Sequence, residues 1–263
     1  MKRLLIRPGA LGDCILSLPA MEHLARGFET EVWAPGAVTP LTRFSNAVRS
    51  LASTGIDMVG LDGIPTPDWF AERIKRFDSI VSWYGSNRPE FRDAITALGV
   101  PCEFLPALPP TESNEHAVDF FARQVGAPAG LTPRICIAPE RARGSVIIHP
   151  FSGSARKNWP LERYREVADR LARPIEWTAG ATEELPGAYR FGNTAELAQW
   201  LAGAGLYIGN DSGVTHLAAA LGVPVIANFV ASRPEIWAPR GPRVSVLVNP
   251  SVNDVVDRIA LFG

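Results

Sequence analysis

Leu206-Tyr-Ile-Gly-Asn-Asp-Ser-Gly-Val-Thr-His-Leu-Ala-Ala-Ala-Leu-Gly-Val-Pro-Val-Ile-Ala-Asn-Phe229 reads as a strand, a polar turn, a helix and a second strand. The apolar run Leu206 to Ile208 meets Asn210-Asp-Ser-Gly213, residues of turns and N-caps, after which Leu217, Ala218 and Leu221 recur at helical spacing. Gly222 and Pro224 stop the helix, and the β-branched run from Val223 to Phe229 suits a buried parallel strand. The stretch is a βαβ crossover. Its turn brings free backbone N–H groups, a hydroxyl and His216 to one helix N-terminus, where a diphosphate binds well. A purely structural reading stays open beside it, with Asp211 as a cap and His216 as a packed ring.

Outward from this unit the pattern repeats. Ser145 to His149 is a strand, Pro150 to Asn158 a polar loop, and Pro160 to Leu171 a helix with proline at its first position. Ile175 to Thr178 is a further strand, and Thr194 caps a helix that runs to Leu201. At the other end of the chain, Arg3 to Arg7 is a strand, Pro8 to Asp13 a glycine loop, and Cys14 to Phe28 a helical stretch in which Pro19 predicts a kink or restart. Glu31 to Ala34 and Ser79 to Trp83 read as strands, while Pro67 to Phe77, Arg92 to Leu98 and Glu115 to Val125 read as helices. Pro128, Pro133, Arg134, Pro139, Arg141 and Arg143 mark a change of composition that suits a connection, with Ile135 to Ile137 as a short strand inside it. The division is therefore residues 1–130, a linker over 131–144, a second α/β domain over 145–250, and a C-terminal helix in 251–263 free to pack on either half, including back onto the first.

Length suits two small domains, and a hydrophobic fraction of 46% argues against disorder. A net charge of −1 gives no global case for nucleic acid, so an anionic ligand must be met locally. Cys14, Cys102 and Cys136 are odd in number and far apart, which suggests neither a disulfide framework nor a zinc site and fits a reducing, cytoplasmic setting. Arg7 and Pro8 interrupt the first apolar run too early for a signal peptide, and no run reaches transmembrane length.

Three loops stand where a parallel strand hands over to a helix. Gly9-Ala-Leu-Gly-Asp13 lacks the third glycine of a dinucleotide fingerprint, but Asp13 lies at a helix start, where a carboxylate is stabilised and can serve as a base or simply as a cap. Ser152, Gly153 and Ser154 offer hydroxyl and backbone donors beside Arg156 and Lys157, placed either for an anion or for solvent. Asp211 to His216, with Thr215 among them, form the third loop. There is no DxD, HExxH, GxSxG or P-loop pattern.

In these motifs the chain resembles glycosyltransferase family 9, the ADP-heptose:lipopolysaccharide heptosyltransferases. Leu4 to Ala20 is similar to the family's "LGD…LPA" signature, His149 to Arg163 to its "HPGS…KxWP" motif, and Gly209 to Ala220 to its "DSGxxHLAAA" motif. The resemblance implies a GT-B fold, two Rossmann-like domains facing a central cleft, with acceptor in the N-terminal half and nucleotide sugar in the C-terminal half. It implies an inverting transfer that needs neither metal nor cofactor, from an ADP-heptose-type donor to a lipopolysaccharide-core or other glycan or glycolipid acceptor in a bacterial cell. Asp13 then matches the proposed base, Lys157 the lysine near the donor phosphates, and Asp211, Ser212, Gly213 and His216 the donor turn. Acceptor-side candidates are Gly12, Asn87, Arg88 and Arg92, with Arg73, Lys75 and Arg76 as further basic residues. Contact with the cytoplasmic face of the inner membrane is peripheral at most, and no nucleic acid is a partner. Two alternatives remain, a GT-B-like sugar-nucleotide epimerase or hydrolase and a nucleotide-binding scaffold without transfer.

Overall fold

Two parallel five-stranded sheets carry the chain in the computed structural model, which describes residues 1–140, 142 and 144–262. Arg141 and Arg143, expected in the linker, and Gly263, expected at the end of the last helix, lie outside the described residues. The first sheet contains β1 (Lys2–Ile6), β2 (Glu29–Ala34), β3 (Ala47–Ser50), β4 (Ser79–Ser82) and β5 (Cys102–Phe104), in the order β3-β2-β1-β4-β5. The second contains β6 (Val146–His149), β7 (Ile175–Trp177), β8 (Leu206–Asn210), β9 (Val225–Phe229) and β10 (Val244–Val248), in the order β10-β9-β8-β6-β7. The helices are α1 (Leu11–Ala25), α2 (Asp68–Ile74), α3 (Pro89–Thr96), α4 (Ala117–Gln124), α5 (Leu161–Asp169), α6 (Thr194–Ala202), α7 (Gly213–Ala220), α8 (Pro234–Trp237) and α9 (Val252–Ala260).

Parallel strands buried on both faces must be apolar throughout, and every residue of β6, β8 and β9 is buried. The strand orders decide where ligands go. From β1 the chain builds outward through β2 and β3, then returns to the opposite side for β4 and β5; from β6 it builds β7 on one side and β8 to β10 on the other. The connections therefore diverge between β1 and β4 in one sheet and between β6 and β8 in the other. Beyond the carboxyl ends at such switch points the loops part and leave a crevice. The loops there are Pro8 to Asp13 and Trp83 to Arg88 in the first sheet, and Pro150 to Pro160 and Asp211-Ser212 in the second.

The described residues cluster into two units. One comprises Met1–Glu112 and Phe120–Ala129; the other comprises Ser113–Asp119 and the chain from Gly130 onward. Residues 113–119 thus cluster with the second unit, as do the described residues of 131–144. Ile135 is buried and donates its N–H to Ala220 O at 2.9 Å, but residues 135–137 form no strand, because proline at 133 and 139 brackets them and a single bond is no ladder. The C-terminal α9 lies in the second unit, where Val255 and Ile259 join Trp159, Tyr164 and Ile208 in the core. Of the kink or restart expected at Pro19, the restart is absent. α1 runs unbroken from Leu11 to Ala25 because residues 14–21 are buried, and packing outweighs one missing backbone hydrogen bond.

His116 gives the second unit an acid-sensitive contact. Its Nδ1 accepts from Val118 N–H at 3.2 Å, so Nε2 is the protonated nitrogen and donates to Ala238 O at 3.0 Å; Asp119 nearby pairs with Arg240. Burial, and then the Arg240 charge, push the imidazole from 6.5 down to about 4. Over that window the unfolded chain binds the proton that the folded chain refuses. Stability is therefore expected to fall as pH drops from 6.5 toward 4 and to lose this contribution fully below it. Urea unfolding between pH 7.5 and 4.5 measures the slope, and His116→Gln should flatten it.

Candidate functional site

At the end of β8, Asn210 turns inward and is wholly buried. Its Oδ1 accepts from Trp159 N–H and from Tyr164 Oη–H, both at 2.8 Å, and its Nδ2 donates to Pro150 O at 2.8 Å. A buried amide must fill its hydrogen bonds, and here the filling clasps the β6 loop to β8. Trp159 closes the loop from the far side, its Nε1 donating to Pro250 O at 3.0 Å. Ser212 caps α7 by accepting from Thr215 N–H at 3.3 Å, and the buried Thr215 hydroxyl bonds Asn210 O and lies 3.2 Å from Tyr207 Oη. Gly209 is required for this, since a Cβ there would sit 2.6 Å from Tyr207 Oη. Thr215 and the Ser212 hydroxyl thus build the turn. The N–H groups of Gly213 and Val214, first in α7, take no part in the cap.

Asp211 draws the charged groups together. It is 5% exposed; Lys157 Nζ and Ser232 Oγ both donate to its Oδ2 at 2.6 Å, and His216 Nε2 stands 3.6 Å from Oδ1, longer than a hydrogen bond. Burial alone would push this carboxyl up, but His216, Lys157 and Ser232 overcome it and hold the group at about 2. Asp211 is therefore an anion whose lone pairs serve Lys157 and Ser232. Lys157, with a side chain 38% exposed, uses one of its three N–H donors here.

In the preceding loop, Ser152 Oγ is held between Ser154 O (2.7 Å) and Asn158 Oδ1 (2.9 Å), while Gly153 and Arg156 are exposed. A short 3₁₀ turn, Ala155–Lys157, delivers the lysine toward Asp211. The second unit thus brings Lys157, Asp211, Ser212, Gly213 and His216 together at its switch point. Ser232, absent from the expected set, arrives from the loop after β9. His149 also joins the region: it is buried at the end of β6, with Nε2 3.2 Å from Glu183 Oε2 and Nδ1 without a partner.

In the first unit, Asp13 occupies the first turn of α1, half-buried, its Oδ2 accepting from Ala10 N–H at 3.2 Å. No hydrogen bond to Oδ1 is found among the described residues. Gly12 beside it is buried. After β4, Asn87 is exposed, Arg88 reaches Tyr84 Oη and Val59 O at 3.4 Å each, and Arg92 lies over the Phe104 ring at 5.4 Å. Among the described residues no group of three or more His, Cys, Asp or Glu side chains converges as a metal site would require, and no helix is long and apolar enough to cross a membrane.

The glycosyltransferase family 9 (heptosyltransferase) profile matches residues 192–257, which include the Asp211 turn. Lipopolysaccharide heptosyltransferase 1 of Pseudomonas aeruginosa is 25% identical over 89% of this chain and 80% of its own length. The lipopolysaccharide core heptosyltransferase OpsX of Haemophilus influenzae is 22% identical over the same shares. Among solved structures, E. coli heptosyltransferase WaaC with ADP superposes with a TM-score of 0.70 at 18% identity, covering 100% of both chains. That likeness gives the fold, GT-B, to which the two parallel α/β units conform. Loop motifs, unit architecture and relatives agree: the chain is similar to the heptosyltransferases of glycosyltransferase family 9.

Proposed function

We propose that the protein moves a heptose from ADP-heptose to a hydroxyl of a lipopolysaccharide-core or related glycan acceptor, with inversion and without a metal ion. The observation that carries this is the Lys157–Asp211–His216 cluster beside the start of α7, a set of donors and positive charge at a switch point. In a single displacement the acceptor oxygen bonds the anomeric carbon as Asp13 Oδ1 takes its proton. The bond from that carbon to the diphosphate breaks, and ADP leaves with the electron pair. Charge growing on the diphosphate meets Lys157 and the free amides of Gly213 and Val214, which need no reorganisation to receive it. Arg156 and the Ser152–Ser154 loop flank the diphosphate, and Asn87, Arg88 and Arg92 face the acceptor.

The donor is supported by the E. coli WaaC structures, solved with ADP and with ADP-2-deoxy-2-fluoro heptose. The acceptor is supported by the lipopolysaccharide heptosyltransferases among the relatives. The work would take place in the cytoplasm, with peripheral contact at the inner face of the membrane that holds a lipid-linked acceptor.

The test supplies ADP-heptose and a heptose-free core acceptor in excess EDTA. One heptose gained per ADP released, with the anomeric configuration inverted by NMR, is the expected result. Free heptose released without acceptor would instead make the protein a hydrolase, and an altered sugar still bound to nucleotide would make it an epimerase. ADP binding without turnover would leave a scaffold, and turnover restored only by a divalent cation would remove metal independence.

A further inference from the structure

Arg7, the residue after β1, is 0% exposed, and among the described residues none of its side-chain hydrogen bonds goes to a carboxylate. Taking a guanidinium out of water costs several kcal/mol, and proteins usually offset it with a buried anion. Here all three hydrogen bonds go to neutral oxygens: Ser17 Oγ at 2.8 Å, Asp13 backbone O at 3.1 Å and Ala107 O at 3.2 Å. Ser17 in turn donates to Cys14 O at 2.8 Å, which aims its lone pairs at Arg7. The guanidinium carbon stands 4.6 Å from the centre of the Phe121 ring and 6.0 Å from that of Trp83. A neutral chain of the same length would fill this space at lower cost, so packing does not account for the charge.

Gly9 shows what the charge faces. Its φ of 116° is open to glycine, and a Cβ built there would stand 3.3 Å from Asp13 Oδ2 and 3.8 Å from Arg7 Nη1. Carboxylate and guanidinium thus border the same gap. We infer that Arg7 is a positioning residue for the base, its buried guanidinium gripping the first turn of α1 and so holding the Asp13 side chain in place. This rests on the reading of Asp13 as the proton acceptor.

The other groups around Arg7 do not compete for its charge. The Cys14 thiol, next to it on α1, is pushed up by burial to about 11 and stays neutral. Trp83, just after β4, and Phe121 of α4 present their rings to it, and the loop after β5 contributes a carbonyl. Among the described residues Asp13 is the one carboxylate whose charge acts on it.

The test compares Arg7→Met and Arg7→Lys in the full chain, with transfer kcat, donor KM and Tm measured for each. For Arg7→Met, kcat should fall roughly 10- to 100-fold with donor KM unchanged, a loss typical of a misplaced catalytic group. Arg7→Lys should restore part of kcat, because an ammonium cannot repeat the forked contacts. A lowered Tm with the wild-type kcat would reduce Arg7 to packing and overturn the inference. Should Arg7→Met fail to fold, Gly9→Ala decides: a methyl in the gap must lower kcat with donor affinity kept, and an unchanged kcat overturns the inference. Full activity in Asp13→Asn would remove the base itself; an inactive Asp13→Asn beside a normal Arg7→Met kcat would remove only the part given to Arg7.

Discussion

Asp13→Asn is expected to lower kcat about 1,000-fold, within the range lost when a general base is removed. Donor affinity should stay within about twofold, since the donor-side donors belong to another set of loops. The substitution is close to isosteric. Its amide oxygen can still accept from Ala10 N–H, so α1 keeps its cap and the loss is one of proton transfer. Single-turnover kinetics with calorimetric ADP binding separates the two quantities, and a kcat near that of the parent would take the base role from Asp13.

Lys157→Met should cut kcat/KM by roughly 100- to 1,000-fold, with ADP affinity falling as well, because the ammonium meets the diphosphate both bound and leaving. That joint fall distinguishes it from Asp13→Asn. Among the described residues, the change leaves the Asp211 carboxylate with Ser232 and His216. Since Lys157 is 38% exposed, water screens the broken pair, and the stability cost should be about 1 kcal/mol or less. Combining it with Asp211→Asn should do less damage than the two separate losses together, as expected of side chains in one network. Strict additivity in kcat/KM would show that they act apart.

What the chain discloses before folding follows from how each element is stabilised. β1, β4, β6, β8 and β9 are central, so their runs are apolar and readable. The edge strands β3 and β5 are not: Ala47-Val-Arg-Ser50 and Cys102-Glu-Phe104 are short, half-exposed and mixed in polarity, and become strands only because β2 and β4 offer them an edge. β10 carries a β-branched signal, Val244-Ser-Val-Leu-Val248, that the flanking proline and glycine obscure. Within the site, the Lys157 and Asp211 loops are legible because turn chemistry is local. Ser232 and Glu183 are not, because they reach Asp211 and His149 across 21 and 34 residues from loops after other strands. Asn210 looks like a turn residue, and nothing nearby in the chain shows that its side chain faces inward to Trp159 and Tyr164.

The order β3-β2-β1-β4-β5 also sets a timetable for synthesis. A nascent chain can pair β1 with β2 once residues 29–34 have left the ribosome, yet the second edge of β1, with Leu4, Leu5 and Ile6 buried at the end, waits for β4 at residues 79–82. The cage around Arg7 waits longer still, for Ala107 and then Phe121. The loop that bears Asp13 is therefore among the first segments translated and among the last in its unit to be set. A chain stalled before β4 presents an apolar strand edge to chaperones and its own neighbours, and one stalled later but before Phe121 still has the base unplaced.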